Sequence, residues 1–327
     1  VYSGVLRLCP NGNIPRNTLY YVTKNFSNNF EYCQLGLKLK VILPFQVLYN
    51  KINNEDKENS ILDPFHINEI PQAIKKELGT IHNITFPRQG STSNVGIVKS
   101  NKGLVVLKRA TGQQYSEWLK KETTVLQILA HTELPVPSVY QFLEQANTAL
   151  GAQSWLCMEF LQGETIREVL TDEKDSSIRH QILSSFGEEL RRIHNTSCPP
   201  ELKRQTPWLE EMLKQAEYNL NFEATEGNPK LLERLKLNQP SSHPQTLIHG
   251  DCTIDNFLVA QGKIVGIIDW SGGAYGDPRY DVALATRPNP NLFQAASDYQ
   301  AFFDGYGEKI ITEEQYVYFA DGLYEFF

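Results

Sequence analysis

The chain is 327 residues long, 41% hydrophobic and 21% charged, enough to bury a sizeable core and to build more than one lobe. Its five cysteines, Cys9, Cys33, Cys157, Cys198 and Cys252, are odd in number and never fall as C-x-x-C; this argues against a disulfide framework or a zinc site and fits a reducing, cytoplasmic setting. The net charge of −7 is uneven, with +4 on residues 1–50, balance over 51–160 and −11 on 161–327, which argues against a nucleic-acid partner and is compatible either with a cationic small molecule or with a routine acidic surface.

Residues 1–50 are rich in Asn, Tyr and Leu, show no sustained period of 3.6 or 2, and offer no chemistry. Their most apolar part, residues 35–49, is broken by Lys38, Lys40 and Pro44 and is too short to span a bilayer. It also lacks the basic start and cleavage site of a signal peptide, so no membrane partner is expected. No methionine precedes Met158, so Val1 reads as a non-AUG start or as the start of a trimmed chain. Residues 50–60 are polar and charged without apolar periodicity, which predicts a linker. Residues 1–62 are therefore expected to lie outside the functional fold, with an added element packed on it as the alternative.

The pattern changes at Asp63-Pro64. Ile67, Ile70, Ile74 and Leu78 recur at helical spacing and predict a short amphipathic helix ending at Gly79. Strand-like runs follow at 80–86, 95–99 and 104–109, with Ser100-Asn101-Lys102-Gly103 as the second turn, so a sheet meander is expected. The first turn carries Ser91, Thr92 and Ser93, whose hydroxyls and neighbouring N–H groups could meet anionic oxygens. It is not G-x-G-x-x-G, and an ordinary hairpin loop is the competing reading. Lys108 closes the third run. Residues 117–130, with Trp118, Val125, Leu126 and Leu129, predict a helix whose middle carries Glu122, the expected partner of Lys108, with Glu117 as competitor and a solvated strand end as the alternative.

Pro135-Val136-Pro137 interrupts helix, residues 139–143 and 154–160 predict two more strands, and Leu161-Gln162-Gly163 ends the sheet. Met158 reads as core filler. From Thr165 the chain turns helical through Ile166, Val169 and Leu170, then Ile182, Leu183, Phe186, Leu190 and Ile193, with His194 as a helix-end residue. Residues 219–237 read as one helical insertion of no legible function. In residues 247–259 and 264–270 two apolar runs bracket Asp251, Asn256 and Asp269, so a β-rich scaffold could hold all three at one edge. A helix opens at Asp281, and the aromatic stretches 302–306 and 316–327 read as helical core.

Phosphoryl transfer needs a carboxylate near the accepting hydroxyl and oxygen ligands for Mg²⁺, which Asp251, and Asn256 with Asp269, would respectively supply. The five-residue step from Asp251 to Asn256 matches the D-x-x-x-x-N catalytic loop of protein kinases, and Asp269 falls where their D-F-G aspartate would. Any one of these features alone would read as a capped turn. His249-Gly250-Asp251, Ile268-Asp269-Trp270 and the run Gly276-Asp277-Pro278-Arg279-Tyr280-Asp281-Val282-Ala283 depart from the protein-kinase set; together they resemble the aminoglycoside phosphotransferase and choline kinase family, most specifically over 249–283 and in all over about 63–327.

The resemblance implies an α+β, two-lobed, protein-kinase-like fold, with a small sheet lobe at 63–160 binding nucleotide and a larger, mainly helical lobe at 161–327 carrying catalysis and substrate. It implies ATP as phosphoryl donor, GTP as the alternative, and Mg²⁺. Lys108, held by Glu122, would bind the phosphates, and backbone groups of Glu159 and Leu161 the adenine edge. His249 and Asp281 would support the Asp251 loop. Cys252 is not expected as a nucleophile, because the reaction needs no covalent intermediate. Asp255 reads as a loop charge or, less readily, a substrate contact. The acceptor is expected to be a small hydroxylated molecule, cationic first, with Asp321, Glu325 and the α-carboxylate bordering the site, and a neutral metabolite second. Competing readings are an inactive nucleotide-binding regulator of the same fold and a protein kinase, the latter disfavoured because residues 270–300 contain no A-P-E.

Overall fold

The computed structural model describes residues 64–87, 92–148, 151–222, 225–287 and 292–327, and before them the strands at 4–6, 20–24, 30–34 and 37–41. Two compact units divide the chain, Val1–Asp63 and Pro64–Phe327. In the first, β1 (Gly4–Leu6), β2 (Tyr20–Lys24), β3 (Phe30–Gln34) and β4 (Leu37–Val41) pair antiparallel in sequence order. Strands of three to five residues are too short to display a sustained alternation, which is why the sequence shows none. The expected linker at 50–60 lies outside the described residues.

The second unit opens with a 3-10 turn, Ile67–Glu69, and α1 (Gln72–Leu78), rather than the single helix expected from Ile67. Pro71 is the reason: it disfavours helical backbone at Ile70, whose ψ is 128°, and α1 starts afresh behind it. Ile70, Ile74 and Leu78 are buried, whereas Ile67 is exposed. Gly79, at φ 71°, closes the helix as its spacing predicts.

A five-stranded antiparallel sheet follows, built from β5 (Ile81–Thr85), β6 (Asn94–Ser100), β7 (Gly103–Thr111), β8 (Val139–Thr148) and β9 (Gly151–Glu159) in the order β5-β6-β7-β9-β8. Alternation assigns its two faces. Val105, Leu107, Trp155 and Cys157 pack with Phe65 and α1 in one apolar cluster. Val106, Ala110, Leu156 and Met158 face the other way, into a larger core shared with α2 (Gln113–Leu129). Lys108 has the parity of the second set, so period 2 points it at α2.

Helix α2 buries Leu119, Glu122, Val125, Leu126 and Leu129. Trp118, expected on that face, is 37% exposed and packs edge-on against Tyr115. Its position, one residue from Leu119, turns it 100° off the stripe.

The mainly helical remainder runs through β10 (Glu164–Thr165), α3 (Ile166–Thr171), α4 (Ser176–Asn195), α5 (Trp208–Phe222) and α6 (Pro229–Leu237). The stretch 219–237 is thus not one insertion. Helix α5 ends at Phe222, and α6 starts anew behind Asn228, whose side chain accepts the Leu231 N–H at 3.0 Å. Next come β11 (Thr246–Ile248), β12 (Phe257–Ala260), β13 (Lys263–Ile267) and β14 (Ala274–Gly276), which pair as β10-β12-β13 and β11-β14. Helices α7 (Pro278–Ala285), α8 (Ala296–Tyr306) and α9 (Glu313–Phe319) complete the core, and a 3-10 turn, Leu323–Phe326, replaces the continuous helix expected over 316–327. No helix among the described residues is long and apolar enough to cross a membrane.

Candidate active site

The three polar residues singled out between the apolar runs sit on two connections. Asp251 and Asn256 lie on the loop from β11 to β12, and Asp269 lies just after β13. The β12–β13 ladder sets Phe257 opposite Ile267, and the Ile268 N–H donates to the Asn256 carbonyl at 2.9 Å, so the loop and Asp269 are drawn to one end of the hairpin. Gly250 makes the sharp turn before Asp251 at φ 80°, where a Cβ would fall 2.3 Å from the Gly272 carbonyl oxygen. Asp269 is left-handed at φ 67°, ψ 52°, a conformation few non-glycine residues adopt and one that concentrates at functional sites.

The loop is held from behind by Asp281 at the start of α7. Its Oδ2 accepts the His249 N–H at 2.6 Å and its Oδ1 the Gly250 N–H at 2.8 Å, with Asp281 fully buried. His249 Nε2 lies 2.9 Å from the Ile268 carbonyl and must donate to it, which leaves Nδ1 to accept the Asp251 N–H at 3.2 Å. One imidazole therefore ties the Asp251 loop to the turn carrying Asp269.

Asn256 spends its amide hydrogens on Asp251, donating to the backbone oxygen at 2.8 Å and to Oδ2 at 3.0 Å. That geometry leaves its Oδ1 as the atom suited to a cation. Burial, with the nearby Asp269 charge, pushes the Asp251 carboxyl up, against the opposing pull of the bonds from Asn256 and Tyr324.

Lys108 reaches across from the sheet. Its Nζ lies 2.7 Å from Glu122 Oε1 and 2.9 Å from Asp269 Oδ1, so the ammonium bridges α2 and the Asp269 turn. Burial pulls Lys108 down, but Asp269 and Glu122 outweigh it and hold the lysine above its ordinary value. The Lys108 charge keeps the half-exposed Asp269 below the usual carboxylate range, while burial raises Glu122 to about 7. Glu117, the competing partner, instead accepts from Gln113 Nε2 on the exposed side of α2.

Thr92 and Ser93 stand directly before β6, whose Val95 pairs with Lys108; Ser91 lies outside the described residues. At the end of β9 the Glu159 N–H donates to the Ser138 carbonyl at 2.9 Å, and its carboxylate takes the Ser138 N–H and hydroxyl. The contribution expected from Glu159 therefore narrows to its carbonyl, beside Leu161. Among the described residues no group of three His, Cys, Asp or Glu side chains could hold a metal. An Asn–Asp pair suits Mg²⁺, which keeps waters and takes further oxygens from phosphates.

Four residues make contacts that were not legible in the sequence. Asp255, read as a loop charge or substrate contact, forms a two-pronged ion pair with Arg167 at 2.5 and 2.7 Å. His194, read as a helix end, sits 3.3 Å from Asp281 and 2.8 Å from the Tyr306 hydroxyl. Tyr324, read as core, donates its hydroxyl to Asp251 Oδ1 at 3.3 Å. Glu325, expected as a bare acid beside the substrate, pairs with Arg287 at 2.6 Å. No spacing rule links residues so far apart. Cys252 is fully buried and its thiol is pushed well up by that burial, as befits a packing residue.

Residues 83–316 match the model of a phosphotransferase enzyme family. Over 224 residues the chain is 24% identical to acyl-CoA dehydrogenase family member 10 of Mus musculus, covering 63% of this chain and 20% of that protein. Over 165 residues it is 24% identical to an aminoglycoside 3'-phosphotransferase of Escherichia coli, covering 46% of this chain and 56% of that one. The chain thus spans a fifth to about half the length of these relatives. An aminoglycoside 3'-phosphotransferase crystal structure superposes with a TM-score of 0.63 at 19% identity, covering 80% of this chain and 99% of its own. A phosphotransferase solved with GDP and kanamycin follows at 0.54 and 17%, covering 77% and 86%. At such identities the likeness establishes the fold, two-lobed and protein-kinase-like.

Proposed function

The chain belongs to the phosphotransferase enzyme family, and from that membership we propose that it moves the γ-phosphoryl group of a nucleoside triphosphate, ATP first and GTP second, to a hydroxyl of a small molecule. The observation that carries the reading is the Lys108 ammonium shared between Glu122 and Asp269 in a site that also holds Asp251 against Asn256. Glu122 fixes Lys108 where it can neutralise phosphate oxygens. Asp251 orients the acceptor hydroxyl and takes its proton as the oxygen attacks phosphorus and the bond to the β,γ-bridging oxygen breaks. His249 and Asp281 keep that carboxylate in register. Mg²⁺, when bound by Asn256 and Asp269, would neutralise the charge on the phosphates. Ser91, Thr92 and Ser93 cover the phosphates, the Glu159 carbonyl and Leu161 N–H receive the base, residues 63–160 form the nucleotide lobe and 161–327 the acceptor lobe.

The net −11 of residues 161–327 supports a cationic acceptor. The Arg287–Glu325 pair favours a second reading, a kinase of a neutral metabolite, because it removes one of the carboxylates that would attract a polyamine. Relatives named as acyl-CoA dehydrogenases support a metabolite as acceptor, without bearing on its charge.

The test is transfer from γ-labelled ATP to a panel of aminoglycosides, amino alcohols, sugars and hydroxy acids. Asp251→Asn should lower turnover at least ~100-fold while nucleotide affinity persists; wild-type turnover in that variant removes Asp251 from the mechanism. For a cationic acceptor KM should rise with salt, since exposed charges are screened over ~8 Å at physiological ionic strength. A salt-insensitive KM with a neutral best acceptor selects the second reading.

A further inference from the structure

Asp251 is gripped from both sides. Asn256 Nδ2 donates to Oδ2 at 3.0 Å, and from the other side the Tyr324 hydroxyl donates to Oδ1 at 3.3 Å. Tyr324 rides on the 3-10 turn Leu323–Phe326, far along the chain, and that turn is fastened at several points. The Arg287 guanidinium lies 5.0 Å over the Tyr324 ring and pairs with the adjacent Glu325 at 2.6 Å. The Glu325 carbonyl takes the Gly227 N–H at 2.8 Å and the Thr225 hydroxyl at 2.5 Å. Asn219, buried on α5, donates to the Phe326 carbonyl at 2.8 Å. Leu323 and Phe326 supply the apolar burial, so core packing accounts for them. Neither packing nor capping accounts for a phenol aimed at the Asp251 carboxylate.

A carboxylate turns easily about its last torsion, which has only a broad two-fold preference. One donor on each oxygen removes that freedom. A neutral donor does so with a smaller loss of proton affinity than an ammonium or guanidinium would impose on a group meant to receive a proton. Burial and the nearby Asp251 hold the Tyr324 phenol above its ordinary value, so it remains an O–H donor.

We propose that Tyr324 is a positioning residue for phosphoryl transfer: its hydroxyl, held in place by the Arg287–Glu325 pair, fixes the plane of the Asp251 carboxylate from the side opposite Asn256. The inference rests on Asp251 being the carboxylate that meets the acceptor hydroxyl. It adds a requirement from the C-terminal turn that the Asp251 loop does not itself reveal.

The experiment is steady-state kinetics with Mg²⁺-ATP and the best acceptor of the panel, or water if no other acceptor is used, alongside thermal melting. Tyr324→Phe keeps the ring and should lower kcat about tenfold, the scale of a lost hydrogen bond to a charged group, with KM for ATP within about twofold of wild type. Arg287→Ala should lower kcat in the same direction, and Arg287→Lys should recover part of it. The double variant Tyr324→Phe/Arg287→Ala should be no slower than Tyr324→Phe alone, because both act through one hydroxyl. A Tyr324→Phe enzyme with a lower Tm but wild-type kcat overturns the proposal, and so does a double variant whose losses multiply. Asp251→Asn in the same series separates the two readings. Wild-type turnover there defeats the functional assignment, whereas its loss beside an unaffected Tyr324→Phe defeats the positioning role alone.

Discussion

Asp269 has three features in one residue: a left-handed backbone, a charge held anionic by Lys108, and a half-exposed side chain. A residue placed only to stabilise the fold would not need the last. Asp269→Ala is therefore expected to weaken Mg²⁺-dependent nucleotide binding by an order of magnitude or more, because an anionic ligand to the ion is lost. Metal-titrated nucleotide binding checks this, and unchanged affinity at all Mg²⁺ concentrations excludes the role. Residue type and spacing singled out Lys108, Asp251, Asn256 and Asp269, and the structure brings Lys108 against Asp269 and Asn256 against Asp251. Tyr324 was not singled out, because an aromatic residue in an aromatic stretch carries no mark of which atom its hydroxyl meets.

Helix α2 joins the five-stranded sheet to the larger core, and its faces have unequal tasks. Leu126 is fully buried in that core, while Trp118 is more than a third exposed. Leu126→Ala should cost about 2–5 kcal/mol of stability through the cavity it leaves. Trp118→Ala should stay within about 0.5 kcal/mol, the range of surface substitutions. Urea denaturation of both variants measures the difference, and a costly Trp118→Ala would mean that the Tyr115–Trp118 contact orders the helix start. The helix was predictable from its apolar stripe, but the stripe's width was overread by one residue. At α1 the error had a local cause, Pro71, which restarts the helix and leaves Ile67 outside the buried face.

For the molecule as a whole, the division at Asp63/Pro64 gives the second unit its own apolar clusters and the entire Lys108–Asp251–Asp269 constellation. Removal of residues 1–62 should accordingly leave kcat and both KM values within about twofold, as truncation tolerance follows from the contacts of the segment removed. Kinetics on the truncated protein decide it; a folded but inactive product would assign the first unit a part in catalysis.

The amino-acid order by itself determined the alternating β-strands and the helical stripes and singled out Asp251, Asn256 and Asp269, because periodicity and residue spacing are local properties that survive in one dimension. It also determined that Lys108 should face a helix carrying Glu122, since period 2 and period 3.6 each orient one side chain. Only the tertiary structure decided that Asp269 shares that lysine, that His249 ties two loops, that Arg167 claims Asp255 and that Arg287 claims Glu325. Those pairings join residues separated by 19 to 161 positions, and their geometry depends on how sheet, helices and turns pack, which no short window of sequence contains.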